Sequence, residues 1–131
     1  MADVASTDRN KALVRRIVEE MFNRGNLEVA PQIFAADFVN RGQLADKSDG
    51  PQGFAQFVKN VRAAFPDLNA TIQSIIAEGD LVAMWNTTTA THLGELFGMP
   101  PSGKRASMRD FHFFRFANGK IVEHWNSVSL S

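Results

Sequence analysis

The chain has 131 residues, no cysteine, 14 basic against 14 acidic side chains and 44% apolar residues, the make-up of a single domain with its own core. Without cysteine there are no disulfides, thiolate metal sites or cysteine nucleophiles, and balanced charge gives no footprint for nucleic acid or anionic lipid. No run approaches the ~20 apolar residues of a membrane-spanning helix, and "MADVASTDRNKALVRR" lacks the apolar core of a secretory leader, so one cytoplasmic domain over residues 1–131 is expected.

Residues 1–6 read as a loose tail. From Thr7, the apolar residues Leu13, Val14, Ile17, Val18, Met21 and Phe22 recur at three- and four-residue spacings, with charged residues between them. That spacing predicts an amphipathic helix, capped by Thr7 or Asp8 and stopped near Gly25. "NLEVAPQIFAADF" predicts a second helix that buries Leu27, Ala30, Ile33 and Phe34 and tolerates Pro31 near its start. "FVNR" reads as a short strand and "GQLADKSDGP" as a loop. "PQGFAQFVKNVRAAFP" is a third amphipathic helix, with Phe54, Phe57, Val58, Val61 and Phe65 on one side and Pro66 ending it.

The second half reads as strands. "LNATIQSIIAEGDLVAMWNTTTATH" is two β-rich runs turning at "EGD", and the Gly- and Pro-rich "LGELFGMPPSGKRA" is a long connection. The aromatic hairpin "SMRDFHFFRFANGKIVEHWNS" ends the chain. Helices first and a meandering sheet last is an α+β pattern.

The hairpin carries Asp110, His112, His124 and Asn126 among its aromatics. A two-residue turn at Asn118-Gly119 would pair Ala117 with Lys120, whereas a bulged turn would pair Phe116 with Lys120. The bulged register is favoured because it gathers the four polar residues on one face. Asp110 would then face Asn126 and His112 would face His124, framed by Met108, Phe114, Val122 and Val128. Arg109, Phe111, Phe113, Arg115, Ile121, Glu123, Trp125 and Ser127 would take the other face.

Together, the "AFPDL" helix end, the "EGD" turn, the TH-x-G-x-x-x-G-x-P-P-x-G-K connection and "GKIVEHW" resemble the SnoaL-like polyketide cyclases of the nuclear-transport-factor-2-like superfamily, over nearly the whole chain. The resemblance implies a cone-shaped barrel, a strongly curved and mainly antiparallel sheet, with three helices from the N-terminal half closing a hydrophobic pocket. It also implies an intramolecular aldol cyclisation of a polyketide-like molecule without cofactor or metal. In that family an aspartate just after the GKI-x-E-x-W motif acts as acid and base, supported by a polar residue and a histidine on the preceding strand. Here the supporting pair maps to Asp110 and His112, while the acid/base position holds Asn126, which cannot exchange a proton. Asp110 is then the carboxylate left to do so.

Aldol chemistry needs a base for a proton flanked by carbonyls, donors for the enolate and an acid for the new alkoxide; burial in an apolar pocket tunes a carboxylate for this. The candidate catalytic residues are therefore Asp110, His112 and Asn126. Asn40, Trp85, His124, Phe114 and Met108 are candidates for substrate contact, with His92 a weaker one. Phe34, Phe38, Phe54, Phe57 and Met84 would form cavity wall or helix packing.

Other readings stay open. The polar residues could form an ordinary wet sheet face. Asp110, His112 and His124 would make a two-histidine, one-carboxylate metal set. An epoxide-hydrolase-like enzyme would need an arginine, with Arg41 and Arg109 as candidates, and a non-catalytic binding member would need no base. Partners implied are a hydrophobic small molecule and a second copy packed on the outer sheet face, where exposed aromatics need cover.

Overall fold

The computed structural model describes residues 4–42, 49–95 and 98–130. Helix α1 spans Val4–Arg16 and runs on into a π-helical turn, Ile17–Phe22. It starts three residues ahead of Thr7, so neither Thr7 nor Asp8 caps it. Of the expected tail, residues 1–3 lie outside the described residues and Val4–Ser6 are helical. The wider π turn buries Ile17, Val18 and Met21 together, giving this end of the helix a broader apolar face than a regular one allows.

The second expected helix is cut short. A 3-10 turn, Leu27–Val29, leads into one helical turn, α2 (Ala30–Ile33), and the chain becomes extended at Phe34. Strand β1 spans Phe34–Asn40 and pairs in parallel with the last strand. The "FAADF" spacing suits a helix, but the long-range pairing overrides it. Of the expected loop from 42 to 51, residues 43–48 lie outside the described residues. Helix α3 spans Gly50–Ala64 and buries Phe54, Phe57 and Val58 as its spacing predicts.

Strands β2 (Asn69–Glu78), β3 (Leu81–Thr91), β4 (Arg105–Ala117) and β5 (Lys120–Leu130) complete an open five-stranded sheet in the order β1-β5-β4-β3-β2. Only β1–β5 is parallel. The register slips between Ile72 and Ser74, and again between Arg115 and Phe116. Such bulges bend strands, so the sheet curls over the helices. Its inner face meets a phenylalanine cluster: Phe54 stacks on Phe34 at 4.4 Å between ring centroids and stands edge-on to Phe38, Phe57 and Phe22.

Part of the expected hairpin register is corrected. Asn118 and Gly119 both have positive φ, 52° and 80°, which defines the two-residue primed turn, and Ala117 pairs with Lys120. The bulge sits further up, around Val122, so that Phe114 faces His124, His112 faces Asn126 and Asp110 faces Val128. The polar face is the one expected, but the pairs within it are shifted. The reason is Ile121: the bulged turn would have put it outside, whereas this register buries it completely opposite Phe116, a gain of roughly 1.5–3 kcal/mol.

Candidate active site

Alternation along three neighbouring strands sends one set of side chains inward: Met84, Asn86 and Thr88 from β3, Asp110, His112 and Phe114 from β4, and His124 and Asn126 from β5. Between this face and the helices lies a cavity of about 110 Å³, walled on the helical side by Ile17, Val18, Phe22, Phe54, Phe57 and Val61. Asp110, His112 and Asn126 reach it, with Met108 and Phe114 in the wall. The expected catalytic trio and two of the five expected contact residues therefore share one apolar chamber.

Asp110 is held from behind. Thr88 Oγ1 donates to its Oδ2 at 2.6 Å and Asn86 Nδ2 donates to the same oxygen at 2.8 Å. Oδ1 takes no partner from the described residues. Burial pushes the carboxyl pKa up, against the pull of the Thr88 and Asn86 hydrogen bonds. Neither Asn86 nor Thr88 was singled out from the sequence. The signal for them was the alternation in "VAMWNTTT", which becomes readable only once Asn86 is known to pair with Asp110.

The histidines form a second cluster. His112 Nδ1 lies 3.0 Å from His124 Nε2, and His124 Nδ1 lies 2.9 Å from Asn40 Oδ1. Asn40 Oδ1 also accepts the Gly42 N–H at 2.9 Å. The two imidazoles stack with their planes 22° apart, and His124 stacks on Phe114. Desolvation lowers the His112 pKa to about 4. It lowers that of His124 well below the ordinary value, and the neighbouring His112 lowers it further. Both rings are thus neutral around pH 7. Asn40 and the fully buried His124 stand behind His112 instead of on the cavity wall.

Four other candidates lie elsewhere. Trp85 points to the outer face and stacks on Phe111 at 5.7 Å, because β3 sends its even-numbered residues inward. His92 packs on Phe65 and lies 3.3 Å from Ser102 Oγ, ordering the connection after β3 and away from the cavity. The arginines are also outside: Arg41 Nε donates to Glu123 at 2.6 Å, and Arg109 is exposed. No arginine among the described residues lines the cavity, so the epoxide-hydrolase-like reading has no residue to carry it. Among the described residues no group of three His, Asp or Glu side chains is placed to hold a metal ion, and no helix is long and apolar enough to cross a membrane.

Fold and site together define a small-molecule pocket of the nuclear-transport-factor-2-like type, with titratable groups set in an apolar chamber. The profile of the SnoaL-like polyketide cyclases matches residues 12–130. The chain is 33% identical over 106 residues to the nogalonic acid methyl ester cyclase of Streptomyces nogalater, covering 79% of this chain and 78% of that one. It is likewise 33% identical over 116 residues to the aklanonic acid methyl ester cyclase DnrD of Streptomyces peucetius, covering 86% and 79%. Among solved structures, IdmH of Streptomyces antibioticus superposes with a TM-score of 0.76 at 30% identity over 92% of this chain and 91% of that one. A protein from Jannaschia sp. CCS1 reaches a TM-score of 0.88 over 98% and 91%, with 21% identity that speaks to fold alone. The chain belongs to the SnoaL-like polyketide cyclase family.

Proposed function

We propose that this protein is a cofactor-independent cyclase that closes a ring of a hydrophobic polyketide ester by intramolecular aldol condensation. The observation carrying the proposal is Asp110: one carboxylate oxygen is anchored by Thr88 and Asn86, and the other is left to an apolar cavity. A wet sheet face would neither enclose the carboxyl nor raise its pKa. Asp110 exchanges protons with the substrate, while His112 and Asn126 complete the polar end of the chamber, and the phenylalanine wall takes the ring system and keeps water out. Support for the reaction class comes from relatives named as cyclases of nogalonic and aklanonic acid methyl esters.

The test is turnover of these two methyl esters, followed by chromatographic separation of each ester from its cyclised product. Asp110→Asn keeps the shape and the Thr88 contact, and is expected to lower kcat by about 10²–10⁴-fold, the usual share of a positioned acid/base group. Unchanged turnover in that variant sinks the assignment. One feature favours a second reading, a binding member without chemistry: Asn126 stands where the family places its aspartate. That reading predicts tight binding of both esters with no conversion.

The proposal extends to a cytoplasmic homodimer. A chain without cysteine needs no oxidising compartment. On the outer face Phe111 and Phe113 are 47% and 40% exposed and Ile76 is 66% exposed, forming with Trp85 and Trp125 an apolar patch that a second copy would cover.

A further inference from the structure

The hydrogen bonds behind His112 fix which of its nitrogens carries the proton. The Gly42 N–H can only donate, so the Asn40 atom it meets at 2.9 Å is the amide oxygen. That oxygen only accepts, so His124 Nδ1, 2.9 Å away, carries a hydrogen. A neutral His124 then has a bare Nε2, and His112 Nδ1, 3.0 Å from it, must be the donor. A neutral His112 is left with a lone pair on Nε2. No described residue partners that atom, and His112 stands in the cavity wall.

The same reasoning places the proton of Asp110. Its Oδ2 already accepts from Thr88 Oγ1 and Asn86 Nδ2. With the Thr88 hydroxyl donating there as well as Asn86, the hydrogen of a protonated carboxyl sits on Oδ1, the oxygen left to the cavity; the alternative, an Oδ2–H donating to Thr88, requires that hydroxyl to turn into an acceptor.

We propose that Asn40 and His124 are positioning residues that hold His112 in the tautomer protonated on Nδ1, so that His112 Nε2 takes the substrate proton and Asp110 Oδ1–H returns one. This rests on the cyclase reading and divides between two side chains the work which the family gives to one. The C–H bond between two carbonyls breaks, its proton goes to Nε2 and its electron pair stays as the enolate. The enolate carbon bonds to the second carbonyl carbon, and the new alkoxide takes the proton of Asp110. The Nε2 proton then passes to the Asp110 carboxylate and both groups are reset, so no outside oxidant or reductant is needed.

The titratable groups near His112 are Asp110 on its own strand and His124 on β5; β3 contributes Met84, which pairs with His112 in the register. Neutral His112 is the form expected there, since burial holds its pKa at about 4. A base that weak is workable, because a related cone, ketosteroid isomerase, uses an aspartate of pKa about 4.6.

Nitrogen-15 NMR of the three histidine side chains in the free, full-length protein reads the tautomers without any substrate, with each ring assigned by its own His→Gln variant. The expected spectrum at pH 7 shows His112 and His124 both protonated on Nδ1 and bare on Nε2. A proton on His112 Nε2, or a cationic His112, overturns the proposal. Asn40→Asp keeps an acceptor for both donors and should keep the His112 tautomer at pH 7, while its charge raises the pKa of His124. Asn40→Leu removes it and should scramble the His112 tautomer, lowering kcat about 10- to 100-fold with KM nearly unchanged. If Asn40→Leu keeps both tautomer and kcat, the relay is refuted. Failure of the wild-type chain to convert either ester would remove the cyclase reading, and with it the proton-transfer roles, while the spectra still decide the tautomer lock.

Discussion

Lowering the pH from 7 to 5 should destabilise the protein well before its carboxylates titrate. Desolvation holds His112 at a pKa of about 4, against about 6.5 for an unfolded histidine. At this ring the unfolded chain therefore binds more protons than the folded one throughout that interval, and its contribution to stability falls as pH falls. At pH 5 the unfolded ring is almost fully charged and the folded ring mostly neutral, which costs about 2 kcal/mol, compared with a few tenths at pH 7. His124 shifts in the same direction and adds to the loss. The lowered pKa values of Asp67 and Glu123 act only further down, at carboxylate pH, whereas the raised Asp110 acts above its ordinary value with the opposite sign and offsets part of the loss, so the comparison with His112→Gln isolates the histidine. Against a total stability of about 5–15 kcal/mol the effect is visible. Urea unfolding should show a midpoint lower by about 1 M at pH 5 than at pH 7, and His112→Gln should show a smaller drop. An equal midpoint at the two pH values, or an equal drop in the variant, would refute a buried neutral imidazole.

Three further outcomes follow from packing and charge. Gly94→Ala should cost about 1–3 kcal/mol in urea unfolding, since an added Cβ would lie 2.3 Å from the Ala63 carbonyl oxygen, a backbone atom that cannot step aside. Phe54→Ala, which removes a ring 1% exposed at the centre of the aromatic cluster, should cost about 3–5 kcal/mol, read by thermal unfolding. Asn126→Asp sets a carboxylate across the strand pair from His112; the His112 pKa should rise, as followed by NMR titration, and the pH 5 midpoint should recover toward its pH 7 value.

Much of the fold was legible from short-range signals. The Phe54, Phe57 and Val58 stripe needs only the helical period, and the Glu78-Gly79-Asp80 turn needs only a residue tolerant of positive φ, here Gly79 at 60°. The inward face of the last hairpin was legible above its bulge because Met108, Asp110, His112, Phe114, His124, Asn126 and Val128 share one parity, whereas Ile121, on the turn side of the bulge, faces inward with the other. What failed was non-local. Whether Trp85 or Asn86 faces inward depends on the register of β3 against β4, across a connection that contains no periodic signal. "FAADF" became strand only because β5 lies beside it. Asn40 meets His124 for the same reason, through the parallel pairing that aligns them. The relay behind His112 thus depends on residues 84 positions apart, and no local pattern could have shown it.

The asparagine at 126 is consistent with the rest of the chamber. Only one carboxyl group lines the cavity among the described residues, and the two imidazoles beside it are neutral. An aspartate at 126, directly across from His112 in the β4–β5 register, would favour the imidazolium and so remove the lone pair that the Asn40–His124 arrangement leaves at the cavity. It would also place a second negative charge close to Asp110, making the first proton harder to release and the second harder to keep. With the carboxyl on β4, one strand carries both the proposed proton donor and the proposed acceptor, two residues apart on the same face, and His124 on β5 stands behind His112. On the proposed reading, the departure from the family's aspartate at 126 moves the acid–base work across one strand pair; a wild-type chain that binds both esters and converts neither would show it abolished.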